Sequence, residues 1–243
     1  MPNVLGLDLA PDHSGAILIG GGVETPLLRG AWFTTHGKLL HERHPDCSVL
    51  TPNDTARQQM DNLSLRMARC DAMLAMMWLV WKYLAAHEIQ HVHVVIEGYA
   101  TGSHGLSIEK GEVGAMARQS VWNWSSVNWA MREYLLARVT EFLGVPHNSK
   151  KPVKAKAALA RYPYMEGVLA QYRTTAKDGG DAFGDLLDAH VMAMMGHTEI
   201  ALRADTLRLR DLPEGMEREA WQKTTNRQQP IGLLAMPWTT RGD

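Results

Sequence analysis

Val4–Ile19 reads VLGLDLAPDHSGAILI, and the fold turns on this stretch. Val4 to Leu9 is a short apolar run carrying Asp8 near its end, Ala10-Pro11-Asp12-His13-Ser14-Gly15 supplies turn chemistry, and Gly15 to Ile19 is apolar again. That pattern predicts a strand, a turn and a second strand. Gly20-Gly21-Gly22 turns the chain once more and Leu28 to Thr34 reads as a third strand, so the chain opens as a three-stranded meander.

Further along, Asn53-Asp54-Thr55 caps a helical stretch reaching about Ala86, with Met60, Leu63, Met67, Met73, Met77 and Val80 close to helical period. Val92 to Ile96 ends on Glu97-Gly98, and its lack of alternation predicts a central strand buried on both faces. After a glycine-bearing loop, Tyr99 to Lys110, the run Glu112 to Leu143 reads as a second long helix carrying Trp122, Trp124 and Trp129 and stopping at Gly144. Val145 to Asn148 is expected to be a last short strand, Pro152 opens a helix through Ala160, and Asp178-Gly179-Gly180 breaks the chain before a helix over Asp181 to His197. Three strands, helix, strand, helix, strand and helices is the order of an α/β domain with a mixed sheet. Residues 1–197 are assigned to that domain and 198–243 to a C-terminal extension of unknown role, and no internal repeat is present.

A chain of 243 residues buries a core without staples. Cys47 and Cys70 stand outside any CxxC pattern, which points to a reducing, cytoplasmic setting, and His41, His44 and Cys47 do not match the spacing of a closed zinc site. The N-terminus lacks a basic region followed by a long apolar stretch, and the apolar run Ala72 to Val80 is too short to span a bilayer, so no membrane role is expected. A formal net charge of −1 leaves nucleic acid open as a partner, because a basic face and an acidic site cancel in the sum. His147 to Tyr162, HNSKKPVKAKAALARY, holds five Lys/Arg and no acid. It is either a solvated helix face or a phosphate path.

Phosphodiester hydrolysis by two metals needs several carboxylates converging on ions roughly 4 Å apart, and Mg²⁺ takes oxygen ligands. Asp8 closes the first strand, Glu97 closes the buried strand, and Asp185 and Asp188 lie at i and i+3 on one helix face. Each has a plainer reading: a turn residue for Asp8, and surface aspartates for the pair. Glu97 is sharper, since a carboxylate ending a run as apolar as VHVVI must be paired or meet solvent at the strand's tip. Asp181 shares the face of Asp185 and Asp188; it is expected at the helix N-terminus and is a reserve ligand.

VLGLDLAPDHSGAILI with Asp8, VVIEGY with Glu97 and DLLDAHVMA with Asp185 and Asp188 resemble, in order and placement, the three acidic motifs of the RuvC-type Holliday junction resolvases. SKKPVKAKAAL is similar to that family's basic segment, with Lys154 the best positional match to its active-site lysine and Lys156 second. The resemblance implies a ribonuclease-H-like fold with a mixed five-stranded sheet flanked by helices. It implies an endodeoxyribonuclease that resolves four-way or other branched DNA with paired nicks. Two Mg²⁺ ions, replaceable by Mn²⁺, would be held by Asp8, Glu97, Asp185 and Asp188, with Lys154 catalytic. Lys150, Lys151, Lys154 and Lys156 would follow the DNA backbone, and Tyr99 stands nearest the family's base-probing aromatic, though not at its usual spacing. The chain's length resembles divergent phage-encoded relatives, for which the setting is the host cytoplasm. The resemblance also implies a homodimer paired through the helix after the glutamate strand, read here as Glu112 to Leu143. On that helix Trp122, Trp124, Trp129, Met116, Val121 and Met131 are either interface or core.

Other functions share parts of this pattern. Leu5-Gly6-Leu7-Asp8 through Ser14-Gly15 is similar to the first phosphate hairpin of sugar-kinase and actin-like ATPases, but no further nucleotide loops follow. Another ribonuclease-H-fold nuclease would share the acids, although hybrid-cutting enzymes place their glutamate on the first helix. A junction-binding module without catalysis would keep the fold and the basic run and not use the acids.

Overall fold

The structure is a computed structural model that describes residues 2–20, 29–34, 62–98, 107–173, 181–213, 218, 221, 224–226, 229–232 and 237–240. The expected cap at Asn53, the His41, His44 and Cys47 segment, and Tyr99 lie outside the described residues.

The first three strands are β1 (Val4–Asp8), β2 (His13–Ile19) and β3 (Arg29–Thr34), antiparallel to one another as the meander required. Helix α1 (Asn62–Ala86) leads to β4 (His91–Gly98), which lies parallel to β1, with Leu7 opposite Ile96. Helix α2 (Ser107–Trp122) then crosses over to β5 (Asn128–Leu135), parallel to β4, the connection that parallel neighbours require. The sheet order is β3-β2-β1-β4-β5, with a two-residue strand β8 (Thr239–Thr240) on the β5 edge. This is the mixed five-stranded α/β sheet expected of a ribonuclease-H-like chain, extended at one edge.

One expectation fails between residues 112 and 148. The single long helix Glu112 to Leu143 is instead α2, strand β5 and the short helix α3 (Leu136–Leu143), and Val145 to Asn148 is not a strand. The physical reason lies in Asn123, Ser125 and Ser126, which break the helix, and in the alternation of 128–135. Trp129 and Met131 face the α1–α2 side, while Arg132 and Tyr134 are buried on the other. Trp124, Trp129, Val121 and Met131 are therefore core, with Trp129 on a strand. Only Trp122 of the three tryptophans is exposed, and its ring lies 5.3 Å from that of Trp129.

Helices α1 and α2 cover one face of the sheet, packing Met73, Met76, Met77, Val113 and Val121 onto Leu5, Leu7, Leu18, Val94 and Ile96. The other face carries α3, α4 (Lys151–Arg161), α5 (Tyr164–Leu169) and α6 (Ala182–Arg203) over Val4, Ile17, Ile19, Val95 and Tyr134. Helix α6 lies directly on β1 and β2 because two strand positions have no side chain. A Cβ at Gly6 would fall 1.9 Å from the Ala189 carbonyl oxygen, and one at Gly15 would fall 2.6 Å from that of Asp185.

Helix α6 continues to Arg203, past the boundary expected at residue 197. Beyond it, Trp221 is buried edge-on against Tyr134 and Phe142, and Trp238 Nε1 donates to Glu199 Oε1 at 3.1 Å. Strands β6 (Thr224–Asn226) and β7 (Gln229–Gly232) form a separate hairpin. Among the described residues, no helix is long and apolar enough to cross a membrane.

Candidate active site

Asp8 ends β1, and Glu97 stands one residue before the end of the adjoining parallel strand β4. Side chains alternate across a sheet, so Asp8, two residues beyond Gly6, and Glu97, two beyond Val95, both rise from the face that α6 covers. Asp181 caps α6: its Oδ1 accepts from the Gly184 backbone N–H at 2.9 Å. The first two turns of α6 then bring Asp185 and Asp188 over the same sheet edge. The β1–β2 turn is tied from the opposite layer, where Arg69 of α1 donates to Asp12 Oδ1 through Nε at 3.0 Å and Nη2 at 2.7 Å.

Asp185 is wholly buried. Lys151 Nζ donates to its Oδ1 at 2.7 Å, and His13 Nδ1 lies 2.7 Å from its Oδ2. Lys151 also stands 3.6 Å from Asp181 Oδ2, and Lys154 Nζ is 3.8 Å from Asp188 Oδ2. Residues 151 and 154 are one helical turn apart at the start of α4, so both reach the acids from one face. Lys150 and Lys156 remain exposed. The basic run thus splits into two lysines turned onto the carboxylates and two left to solvent.

The electrostatics record how closely the acids are gathered. Burial, and then the charges of Asp188, Asp185 and Glu97, hold the Asp8 carboxyl well above its ordinary value. Burial pushes Asp188 up to about 6 against the pull of Lys154 and Lys151. Burial acts on Asp185 in the same direction, but His13 and Lys151 outweigh it and hold this carboxyl below its ordinary value. Lys151 loses by burial and gains more from Asp185, so its ammonium is held above the usual lysine range.

Four carboxylates facing two ammonium groups form an oxygen-rich, cation-short cluster, the donor set that suits Mg²⁺ or Mn²⁺. In the present side-chain arrangement, no three His, Cys, Asp or Glu groups among the described residues are placed to grip one ion. The oxygens of Asp185, for their part, face Lys151 and His13.

The four acids named from the sequence are thus brought to one sheet edge, with Lys154 and, more closely, Lys151 beside them. His13 is a site residue that the sequence reading does not name. The signal for it is period two along β2, where His13 shares a face with Gly15, Ile17 and Ile19. Residues 10–15 read as a turn, and a turn leaves the direction of the His13 side chain open. His190, on the same helix as the acids, is a core residue. Its Nε2 meets the Tyr164 hydroxyl at 2.9 Å, and burial alone lowers its pKa to about 3.

Searches against protein-family models and curated proteins give no match for this chain. Among solved structures, a Thermus thermophilus RuvC structure is similar with a TM-score of 0.40 and 16% identity, over 80% of this chain and 96% of that one. T. thermophilus RuvC in complex with Holliday junction substrate is similar with a TM-score of 0.44 and 14% identity, over 80% of this chain and 92% of that one.

Proposed function

We propose that this protein is a metal-dependent endonuclease acting on branched DNA, with four-way junctions as its substrate. The observation that carries the reading is the convergence of Asp8, Glu97, Asp185 and Asp188 at one sheet edge with lysines facing them. Mg²⁺ ions bound there would supply the charge that activates water and steadies the leaving oxygen. Asp8 and Glu97, fixed on adjacent strands, and Asp185 and Asp188, fixed on α6, would hold those ions. Lys154 would meet the scissile phosphate, and the exposed Lys150 and Lys156 would follow the backbone on either side.

A second element of the proposal is a homodimer, since paired nicks in a nearly two-fold substrate call for two identical sites. Among the described residues, the exposed large apolar side chains of α1 and α2 are Leu63, Met67, Leu74 and Trp78 along α1, with Ile108 and Trp122 at the two ends of α2, and these would form the pairing surface. The test is incubation with labelled four-way junction, duplex, flap and RNA–DNA hybrid, each in Mg²⁺ or EDTA. Mg²⁺-dependent paired nicks in the junction are expected. Cutting confined to the hybrid would move the protein to another nuclease class, and junction binding without cutting would make it a binding module.

A further inference from the structure

Asp185 is the most enclosed of the four acids, and its two oxygens face different side chains, the His13 imidazole and the Lys151 ammonium. His13 comes from β2, on the sheet, and Lys151 comes from α4, in the helical layer. The two are not equally free to move. His13 is a short side chain at the first position of β2, paired there with Thr34 of β3, and its ring is one-third exposed. Lys151 is a long, flexible side chain at the first turn of α4. It passes over Gly184, where a Cβ would fall 2.8 Å from Lys151 Cε and 2.2 Å from Asp181 Oδ2. A side chain at 184 would therefore close the path by which the ammonium reaches Asp185.

We propose that the two oxygens of Asp185 have separate tasks: His13 is a positioning residue that fixes Oδ2, while Lys151 occupies Oδ1 in place of a divalent ion and leaves when one binds. The inference rests on the metal-site reading above and adds to it two residues with defined parts. Ligand carboxylates are commonly held by hydrogen-bonding partners behind them, and loss of such a partner typically weakens metal binding about 10- to 100-fold. A lysine ammonium is a compact charge on a flexible stem, suited to standing in for an ion and then withdrawing. Once released, Lys151 would join Lys150, Lys154 and Lys156 on the DNA side of α4, so metal loading would add a cation to the DNA-binding face.

The test uses the full chain, stripped with EDTA and titrated calorimetrically with Mn²⁺ alone, alongside mass-spectrometric amine labelling of Lys151. His13→Ala is expected to weaken Mn²⁺ binding at least about tenfold. His13→Asn, whose amide nitrogen takes the place of Nδ1, should recover most of it. In cleavage, His13→Ala should raise the Mn²⁺ concentration needed for half-activity, and His13→Asn should bring it back toward the wild-type value. Labelling of Lys151 in the wild-type chain should rise several-fold when Mn²⁺ is added, with Lys156 as the unchanged internal control. Unaltered Mn²⁺ affinity in His13→Ala, or its complete loss without rescue by His13→Asn, overturns the positioning role. Unchanged Lys151 labelling at saturating Mn²⁺ overturns the displacement, and needs no variant to fold. A wild-type chain that binds no Mn²⁺ overturns the metal-site reading itself, an outcome separable from the other two.

Discussion

Replacing Gly6 or Gly15 with alanine adds one methyl group at the contact that seats α6 on the sheet. A Cβ rarely approaches another heavy atom within 3.0 Å, and the added methyl would stand 1.9 Å from the Ala189 oxygen at position 6 and 2.6 Å from the Asp185 oxygen at position 15. Helix α6 must therefore withdraw by about 1 Å over β1, or by a few tenths of an ångström over β2. The obstructing atoms are helix backbone, which cannot turn aside as a side chain would. Overpacking of this kind costs about 1–3 kcal/mol, with Gly6→Ala at or above the top of that range and Gly15→Ala near the bottom. Both should lose function as well. Gly6 lies against Ala189, next to Asp188, and Gly15 against Asp185 itself, so each shift moves a proposed ligand, and misplacement by about 1 Å can cost 100-fold in rate, with the larger loss expected for Gly6→Ala. Urea denaturation gives the stability difference, and cleavage at saturating Mg²⁺ gives the rate. Gly6→Ala with wild-type stability would show that α6 is not held against β1 as described, and the placement of Asp185 and Asp188 over Asp8 would fall with it.

Melting in EDTA at pH 7.5 should distinguish the acids from one another. Asp188 is raised from 3.8 to about 6 in the folded chain, so its contribution to stability is present below the unfolded value and lost as pH rises through about 6. Asp188→Asn should accordingly stabilise the metal-free protein, on the order of 2 kcal/mol. Asp185, whose carboxyl is lowered, contributes stability above its unfolded value that is lost as pH falls through its folded one, so Asp185→Asn should lower the melting temperature. The opposite ranking would reject the charge pattern of the site. Lys150→Gln with Lys156→Gln should flatten the salt dependence of DNA binding by about 0.9 for each phosphate that is no longer neutralised; an unchanged slope in a filter-binding titration would return both lysines to an ordinary solvated surface. Trp78→Glu is expected to convert a dimer to a monomer in sedimentation equilibrium, and a wild-type monomer that makes paired nicks would refute the dimer.

Much of the fold is legible in the sequence because the decisive signals are local. Asp8 and Glu97 each end an apolar run, Asp185 and Asp188 share a helix face by spacing, and Gly144 stops a helix at φ 71° as its residue type suggests. The errors fall where local and long-range signals compete. Asn128–Leu135 holds good helix formers between two helices, and it becomes a strand because β4 offers it a parallel edge, something only tertiary structure supplies. Position along the chain favours Lys154 over Lys151. The gap over Gly184 admits Lys151 to Asp185, and no spacing rule records that gap. Reading the tryptophans at 124 and 129 onto a helix face also puts the pairing surface among core residues.

The central claim, that four carboxylates at the α6 edge of the sheet form a metal-dependent nuclease site, is tested most directly with conservative variants on one substrate. Asp8→Asn and Glu97→Gln remove ligand charge with almost no change in volume. Each should retain the wild-type circular dichroism and junction affinity while cutting a labelled four-way junction at least about 1,000-fold more slowly than wild type in Mg²⁺. Wild-type cutting that persists in EDTA, or an Asp8→Asn variant that nicks the junction at the wild-type rate, would contradict the account.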